Sequence, residues 1–241
     1  MRLDKLLTET GMTRTEAKKA ISAGRVLFCG ERARNAGLQV AEGDEVLLDG
    51  APVCPRGDIY LMLHKPEGII TATEDPHQET VLSLVPEMYR ARGLAPVGRL
   101  DKDTTGLLLL TTDGALAHFL ISPRRGVEKV YRAHVEGALA EDDIMRMAQG
   151  IPLKDFTAKP AKLQILASEK SESVALLTVT EGKYHQVKRM FSALGHPVTK
   201  LHRQRVAHLE LNGLPVGQIR PLTEDEVRQL KILCKMEREE P

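Results

Sequence analysis

The pattern of hydrophobic and polar residues changes near residue 50. Before that point it predicts two short helices and a few short strands. The first helix has leucines at helical spacing, and the second opens with the capping box T-R-T-E at residues 13–16 and ends near Gly24. Strands are predicted at Val26–Phe28 and Glu45–Leu48. These elements provide only a thin hydrophobic core, so residues 1–50 are predicted to form a small separate domain.

A linker and a larger domain are predicted to follow. The segment from Asp49 to Asp58 contains two prolines and two glycines without periodicity, and residues 51–58 are assigned as the linker. In residues 59–241, strands are predicted at Ile59–His64, Leu94–Leu100, Gly106–Thr112, Val127–Glu136, Ala161–Leu166 and Val174–Thr180. Helices are predicted at Thr80–Val85, Gly114–Ile121, Ala140–Gln149, Tyr184–Leu194 and Thr223–Cys234. Because most strands follow one another through short turns, the expected fold class is α+β, with a largely antiparallel mixed sheet flanked by helices.

Positive charge is concentrated in two segments, although the formal net charge is only +1. Residues 1–34 contain eight Lys or Arg and four acidic residues. Residues 182–205 contain six Lys or Arg, three histidines and no acidic residue. Two basic segments on a nearly neutral chain indicate a polyanion that is held at two places, and nucleic acid is such a partner. Solvated surface charges are the alternative interpretation.

Composition argues against several other classes of protein. No run of 18 apolar residues is present, which predicts no membrane span, and the N-terminus lacks the apolar region of a signal peptide. Three widely spaced cysteines exclude a disulfide scaffold and a cysteine-based zinc site, and they favour a reducing cytoplasm. With 3% aromatic residues and no tryptophan, a stacking platform for single-stranded nucleic acid is disfavoured. Dinucleotide and NTP motifs do not occur.

The segment with the strongest chemical signal is G-R-L-D-K-D-T-T-G at residues 98–106. It links two predicted strands, and the second strand continues into the apolar run 107–110, so the loop is expected at the rim of a sheet. Three interpretations of Asp101 remain open: a nucleophile, a general base, or a turn former whose carboxylate binds backbone N–H groups. Together with Asp103 it also forms a weak candidate for a magnesium site.

A second informative segment is E-G-K-Y-H-Q-V-K-R-M-F at residues 181–191, which opens a helix after a strand. Apolar residues recur at i, i+3, i+4 and i+7 from Val187, and this stripe is expected to face the core. His185 and Lys188 share another face of the helix, with Arg189 beside it. One of the two cations can turn inward to meet a carboxylate, and a solvated basic face is the alternative.

These motifs together resemble the pseudouridine synthases that act on ribosomal RNA, in particular the small-subunit RNA branch. The resemblance covers nearly the whole chain. It rests on the segments 98–106 and 181–190, on K-V-Y at residues 129–131, and on L-H-K-P-E-G at residues 63–68, where His64 replaces the family's usual asparagine. The N-terminal 50 residues resemble a small RNA-binding domain first described in a ribosomal small-subunit protein.

The resemblance implies an isomerase that converts uridine in RNA to pseudouridine without a cofactor or a metal. The bond between ribose and uracil breaks, the base turns over, and the ribose rejoins at carbon 5 of the base. Asp101 is implied as the catalytic carboxylate and Tyr131 as the ring that stacks on the target uracil. A cation beside Asp101 keeps it ionised and oriented, and Lys188 is the first candidate for this cation and Arg189 the second.

The resemblance also implies how the RNA is held. The target uridine has to leave its stack, and Arg99 matches the family residue that occupies the space left behind. The other residues expected to contact RNA are Arg2, Lys5, Arg14, Lys18, Arg124, Lys129, His185 and Arg189. The segment E-D-P at residues 74–76 favours 16S ribosomal RNA, or a small-subunit assembly intermediate, as the partner of a monomeric chain. A non-catalytic RNA-binding protein and a metal-dependent phosphoryl-transfer enzyme are the alternatives.

Overall fold

The chain forms two compact units, the first from Met1 to Asp58 and the second from Ile59 onward. The structure is a computed structural model and describes residues 1–41, 44–53, 57–86, 89 and 93–235. Each unit has its own hydrophobic core. Within the described residues, no helix is long and apolar enough to pass through a lipid bilayer.

The small unit contains two helices and a four-stranded antiparallel sheet. The helices are α1 (Leu3–Thr8) and α2 (Arg14–Ser22), and the strands are β1 (Val26–Phe28), β2 (Glu31–Arg32), β3 (Val46–Leu48) and β4 (Ala51–Pro52), in the spatial order β2-β1-β3-β4. Leu3, Leu6 and Leu7 are fully buried, as their helical spacing predicts. The capping box is confirmed: Thr13 Oγ1 accepts a hydrogen bond from the Glu16 N–H at 3.2 Å, and the Glu16 carboxylate accepts one from the Thr13 N–H at 2.7 Å.

The predicted linker starts too early in the chain. Ala51 and Pro52 form β4, which pairs with β3, and Val53 is buried in the core of the small unit. Pro52 fits in this strand because β4 lies at the edge of the sheet, where one side needs no partner. Residues 54–56 of the predicted linker lie outside the described residues.

The large unit is built on one nine-stranded mixed sheet. Its strands are β5 (Tyr60–Lys65), β6 (Ala95–Pro96), β7 (Thr104–Thr111), β8 (Lys129–Glu136), β9 (Lys162–Ser168), β10 (Glu172–Val179), β11 (Val198–Val206), β12 (Leu209–Glu210) and β13 (Ile219–Pro221). The spatial order is β13-β5-β7-β11-β8-β10-β9, with β6 paired to β7 and β12 paired to β11. Among the described strands, β7 and β11 pair in parallel and the other pairs are antiparallel. The α+β class and the largely antiparallel mixed sheet are therefore confirmed.

Two hydrophobic clusters pack on this sheet. Helices α3 (Gly114–Ile121) and α6 (Glu224–Leu233) contribute to one cluster, and α4 (Glu141–Gln149) and α5 (Gln186–Ala193) contribute to the other. Strand β7 lies between them, because alternate residues of the run 107–110 belong to different clusters. This position explains why every residue of the run is apolar and buried.

The structure differs from the predicted elements in three places. The strand expected at Leu94–Leu100 is reduced to β6, because Pro96 has no N–H and Gly98 has a positive φ of 75°. The helix expected at Thr80–Val85 is a short 3-10 helix, Val81–Leu84. The pattern also fails to predict β11, although this strand lies in the middle of the sheet, because a buried arginine, Arg203, occupies a position where an apolar residue is expected.

Candidate active site

The loop that contains Asp101 is fixed to the protein immediately before this residue. The Thr71 hydroxyl donates a hydrogen bond to the Leu100 carbonyl at 2.8 Å, and the same oxygen accepts one from the Leu100 N–H at 3.1 Å. Both backbone groups of Leu100 are thereby satisfied by one buried side chain. Asp101 follows directly, with its side chain 28% exposed, and lines a cavity of the large unit.

A buried lysine fixes the same loop immediately after Asp101. The Lys65 ammonium donates hydrogen bonds to the carbonyls of Pro66 at 2.9 Å, Lys102 at 3.2 Å and Thr104 at 3.0 Å. Burial lowers the pKa of Lys65 to about 8, although nearby carboxylates oppose this shift. The three carbonyls satisfy all three donors of the ammonium, so Lys65 holds the backbone that follows Asp101 against the end of β5.

Gly106 allows the central strands to approach each other closely. It pairs with Arg203 where β7 and β11 run in parallel, and its φ is 112°. A Cβ at this position would lie 2.3 Å from the backbone oxygen of Arg203. Glycine is therefore required here, and the last residue of the motif at residues 98–106 is explained by packing.

A buried carboxylate organises the turn before α5. Glu181 Oε1 accepts a hydrogen bond from Gln186 Nε2 at 2.7 Å, and Gln186 Oε1 accepts one from the Lys183 N–H at 3.0 Å. Within this turn His185 adopts a left-handed conformation with a φ of 50°. Positive φ is uncommon for histidine, and the Glu181–Gln186 network is in place to hold it.

The first turn of α5 brings a lysine to Asp101. The apolar stripe that begins at Val187 is buried, as predicted, so the polar face of the helix is directed toward the loop. Lys188 Nζ lies 3.3 Å from Asp101 Oδ2 and 2.5 Å from Asp103 Oδ1. His185 Nε2 lies 3.4 Å from Asp101 Oδ1. Asp101 thus lies against the ammonium of Lys188 and the ring of His185.

The charges around Lys188 favour its protonated form. Burial disfavours the ammonium, but the hydrogen bond to Asp103 and the negative charge of Asp101 outweigh it, so the pKa of Lys188 is raised. The hydrogen bond from Lys188 in turn holds the pKa of Asp103 below its usual value. At neutral pH the lysine is therefore a cation between two carboxylates.

The second candidate cation, Arg189, points elsewhere. Its guanidinium forms an ion pair with Asp155 and lies 5.1 Å from the centre of the Phe156 ring. Lys188 lines the cavity that contains Asp101, whereas Arg189 is not among the described residues that line it. The geometry therefore favours Lys188 over Arg189 as the partner of Asp101.

Tyr131 forms part of the wall of the same cavity. It lies on β8 and is 8% exposed, so its ring is held firmly by the sheet. Arg99 is exposed and also lines the cavity. The structure thus brings five of the predicted residues together around one concave surface: Arg99, Asp101, Tyr131, His185 and Lys188.

The remaining predicted RNA contacts occupy different environments. Arg124 is exposed on the large unit. Lys129, another predicted RNA contact, is buried, and its ammonium donates to the Val127 carbonyl at 3.0 Å. In the small unit, Arg2 forms an ion pair with Asp4. The exposed basic residues predicted there are Arg2, Lys5, Arg14 and Lys18.

Three residues of this region were not predicted from the sequence. Lys65 lies in the segment L-H-K-P, which contributes to the family resemblance but assigns no role to this lysine. Arg203 lies in the acid-free segment 182–205, and its burial has no sequence signal. Thr71 has no signal at all, because its role depends on a contact with a residue 29 positions away.

Comparison with known proteins agrees with this geometry. Residues 59–193 match the family described as RNA pseudouridylate synthase, and residues 1–46 match the S4 domain. "Uncharacterized RNA pseudouridine synthase YtzG" of Bacillus subtilis (strain 168) is 43% identical over 235 residues, which are 95% of this chain and 98% of that protein. "Ribosomal small subunit pseudouridine synthase A" of Escherichia coli (strain K12) is 42% identical over 233 residues, which are 94% and 98% of the two chains.

A solved structure extends the agreement to three dimensions. The crystal structure of a pseudouridylate synthase superposes with a TM-score of 0.67 at 37% sequence identity, and the match covers 95% of this chain and 99% of that one. The family match includes the Asp101 loop and the whole of α5. The chain therefore belongs to the RNA pseudouridine synthase family and is an isomerase that acts on RNA.

Proposed function

We propose that the chain isomerises a uridine of 16S ribosomal RNA to pseudouridine, with Asp101 as the catalytic carboxylate. The observation that supports this role most directly is the contact of Asp101 with Lys188 in a cavity walled by Tyr131. The choice of small-subunit RNA is supported by the relative from Escherichia coli, which is named for that subunit and is 42% identical over 94% of this chain.

Asp101 is suited to act as an anion with a fixed direction. Its loop is held by Thr71 on one side and by Lys65 on the other, so little orientational freedom remains to be lost when the substrate binds. Lys188, at 3.3 Å, stabilises the negative charge. A carboxylate that is fixed and ionised is ready either to attack carbon or to accept a proton.

The reaction balances without an added reactant. The bond between ribose C1′ and uracil N1 breaks, a new bond forms between C1′ and C5, the hydrogen on C5 is lost, and N1 gains a hydrogen. The number of electrons in the nucleoside does not change, so no oxidant or reductant is consumed. We therefore expect activity without a cofactor.

The residues around Asp101 are proposed to hold the extruded nucleotide. The target uracil stacks on Tyr131, whose ring is fixed by the sheet. Extrusion from a folded RNA costs a few kcal/mol, and Arg99 offsets part of this cost by filling the vacated space. His185 contacts the substrate beside Asp101, while Arg124 and Arg189 bind nearby phosphates.

The small unit is proposed to provide a second grip on the RNA. It matches the S4 domain, and its four exposed basic residues named above are suited to phosphate contacts. Two linked binding sites raise the effective concentration of the active site at the correct RNA element. We expect the chain to act as a monomer, in the cytoplasm that its cysteine usage predicts.

An Asp101→Asn variant tests this proposal. We expect it to release no tritium from RNA labelled at uracil C5, because that hydrogen is lost only when the new bond forms, while its affinity for RNA stays within a few-fold. Asp103→Asn is the matched control, since it removes the other carboxylate that contacts Lys188, and it should keep most of the turnover.

Assays on different RNAs test the substrate and the reaction separately. Wild-type chain should release tritium from 16S ribosomal RNA and not from large-subunit RNA. Turnover by Asp101→Asn rejects the role of the aspartate. Release from large-subunit RNA alone rejects the substrate but keeps the reaction, and binding without any release supports a non-catalytic RNA-binding protein.

A further inference from the structure

A second cavity adjoins the one that contains Asp101. The two cavities share Arg99, Tyr131 and Gly182. The second cavity also contains two basic side chains, Lys129 and Arg203, between apolar walls. No aspartate or glutamate lies among the described residues that line it.

Both basic side chains are buried and poorly satisfied. Lys129 is 9% exposed and Arg203 is 3% exposed. Lys129 Nζ donates to the Val127 carbonyl at 3.0 Å, and Arg203 Nε donates to the Leu107 carbonyl at 2.8 Å. Neither forms an ion pair with a carboxylate of the described chain.

The end of the Arg203 side chain is open to the cavity. Its two terminal nitrogens have no hydrogen-bond partner among the described residues. Among the described residues, Thr104 Oγ1 is the one side-chain polar atom that is both fully enclosed and without a hydrogen-bond partner. The terminal nitrogens of Arg203 have no partner either, so they are not fully enclosed. The guanidinium therefore offers free donors to whatever enters the cavity.

Two neighbouring buried cations are costly to maintain. Burial, and after it the positive charge of Arg203, lower the pKa of Lys129 to about 8. Buried charges in proteins are normally paired or bound by several hydrogen-bonding groups, because otherwise their lost hydration is not compensated. Here the chain supplies no counter-charge among its described residues, which indicates that a ligand supplies it.

The position of the cavity identifies the chemistry of this ligand. Because both cavities share Tyr131, a nucleotide whose uracil stacks on that ring extends its backbone toward the neighbouring space. Each nucleoside within RNA is flanked by two phosphates. A guanidinium and an ammonium together are well suited to the charged oxygens of a phosphate.

We propose that Lys129 and Arg203 bind a phosphate of the RNA next to the target uridine. This inference rests on the proposed function, because the uridine brings the phosphate to the cavity. It assigns a role to Arg203, which had no expected role, and it places the RNA contact expected of Lys129 in a buried cavity.

Neutralising single phosphates in the RNA tests the site. In short RNAs that contain the target uridine, each flanking phosphate is replaced in turn by an uncharged methylphosphonate. With the wild-type chain, one replacement should lower kcat/KM by about 10- to 100-fold. With Lys129→Met, which already lacks the contact, the same replacement should cost less than about threefold.

Matched variants separate this effect from general changes of charge or packing. Arg132→Met is the control, because Arg132 is exposed on the same strand and faces the opposite side of the sheet. Its replacement should leave the methylphosphonate effect as in the wild type. Arg203→Lys keeps the positive charge without the forked donors and should weaken the effect only in part. The proposal is overturned if each methylphosphonate lowers kcat/KM of Lys129→Met by the same factor as it lowers kcat/KM of the wild type.

A thermal unfolding measurement, which does not depend on catalysis, tests the anion site separately from the proposed function. Inorganic phosphate should raise the unfolding temperature of the wild type more than that of Lys129→Met, at an ionic strength held constant with chloride. If the wild type forms no pseudouridine but shows this difference, the isomerase proposal fails and the anion site stands. If turnover is normal and neither difference is observed, the anion site is overturned.

Discussion

Two lysines beside the same cavity wall differ in how their charge is compensated. Lys188 contacts two carboxylates, Asp101 and Asp103, and its pKa is raised. Lys129 contacts one carbonyl and has a basic neighbour, Arg203, and its pKa is lowered to about 8. The charge of Lys188 is balanced before any substrate binds, whereas the charge of Lys129 is not.

This difference indicates that the two lysines have different roles, one in catalysis and one in ligand recognition. A cation in contact with a carboxylate orients it in the free protein, so the Lys188–Asp101 pair is preorganised for chemistry. A buried cation without a counter-charge costs stability until an anion arrives, so Lys129 is suited to recognition of a charged ligand. Replacement of Lys188 should therefore lower turnover, whereas replacement of Lys129 should weaken the recognition of the anion and raise stability.

Replacement of Lys188 by methionine should have the largest effect on turnover. We expect kcat to fall by at least about 100-fold, because Asp101 and Asp103 then face each other without the cation that orients them. RNA affinity should change only a few-fold. Single-turnover tritium release together with RNA binding measures the two quantities separately.

Arg189→Met is the matched control for this variant. Arg189 is the next residue of the same helix, and its partner is Asp155 rather than Asp101. We expect it to retain most of the wild-type kcat. Loss of turnover in Arg189→Met with normal turnover in Lys188→Met would show that the wrong cation has been paired with Asp101.

Lys65 sharpens the comparison, because it is buried like Lys129 but fully hydrogen bonded. Lys65→Met removes the ammonium that donates to three carbonyls, those of Pro66, Lys102 and Thr104, and we expect the free energy of unfolding to fall by about 1–3 kcal/mol. Urea unfolding measures this change. Lys102→Met, which removes an exposed ammonium from the same loop, should alter stability by less than about 0.5 kcal/mol. Equal effects of the two replacements would contradict the positioning role of Lys65.

The parts of the site that could be predicted from the sequence are those with a local signal. The run 107–110 identified the strand after Asp101, since every residue in it is apolar. The stripe that begins at Val187 oriented the first turn of α5. These two inferences depend on spacing within one element, which the sequence contains directly. The spacing left Lys188 and Arg189 open as the partner of Asp101, and only the family resemblance favoured Lys188.

The parts that could not be predicted depend on contacts between distant residues. Strand β11 is central, yet its polar side chains hide it, because Arg203 faces a cavity where a core residue is expected. Thr71 binds Leu100 from another part of the chain. Lys129 resembles any basic strand residue until the fold shows that it is turned inward. Burial of a charge is a property of the assembled sheet and has no local pattern.

Lys129→Met should change stability less than Lys65→Met does, and with the opposite sign. At pH 7 we expect the variant to be more stable than the wild type by about 1 kcal/mol, because relief of the buried charge exceeds the loss of one hydrogen bond to Val127. Urea unfolding in a buffer without phosphate measures the difference. A protein that is stabilised by losing a residue important for RNA turnover shows that the residue is kept for function.

The pH dependence of this difference tests its electrostatic origin. The pKa of Lys129 is about 8 in the folded chain and near its ordinary value of 10.5 in the unfolded chain, so the unfolded chain binds more protons between these two pH values. The free energy of unfolding of the wild type should therefore rise relative to that of Lys129→Met as the pH increases from 8 toward 10.5, and the advantage of the variant should shrink. If the greater stability of Lys129→Met stayed constant over this pH range, its origin would be packing rather than charge. A wild type that is more stable than the variant at pH 7 would mean that Lys129 is already neutralised within the free protein, and the distinction from Lys188 would then be lost.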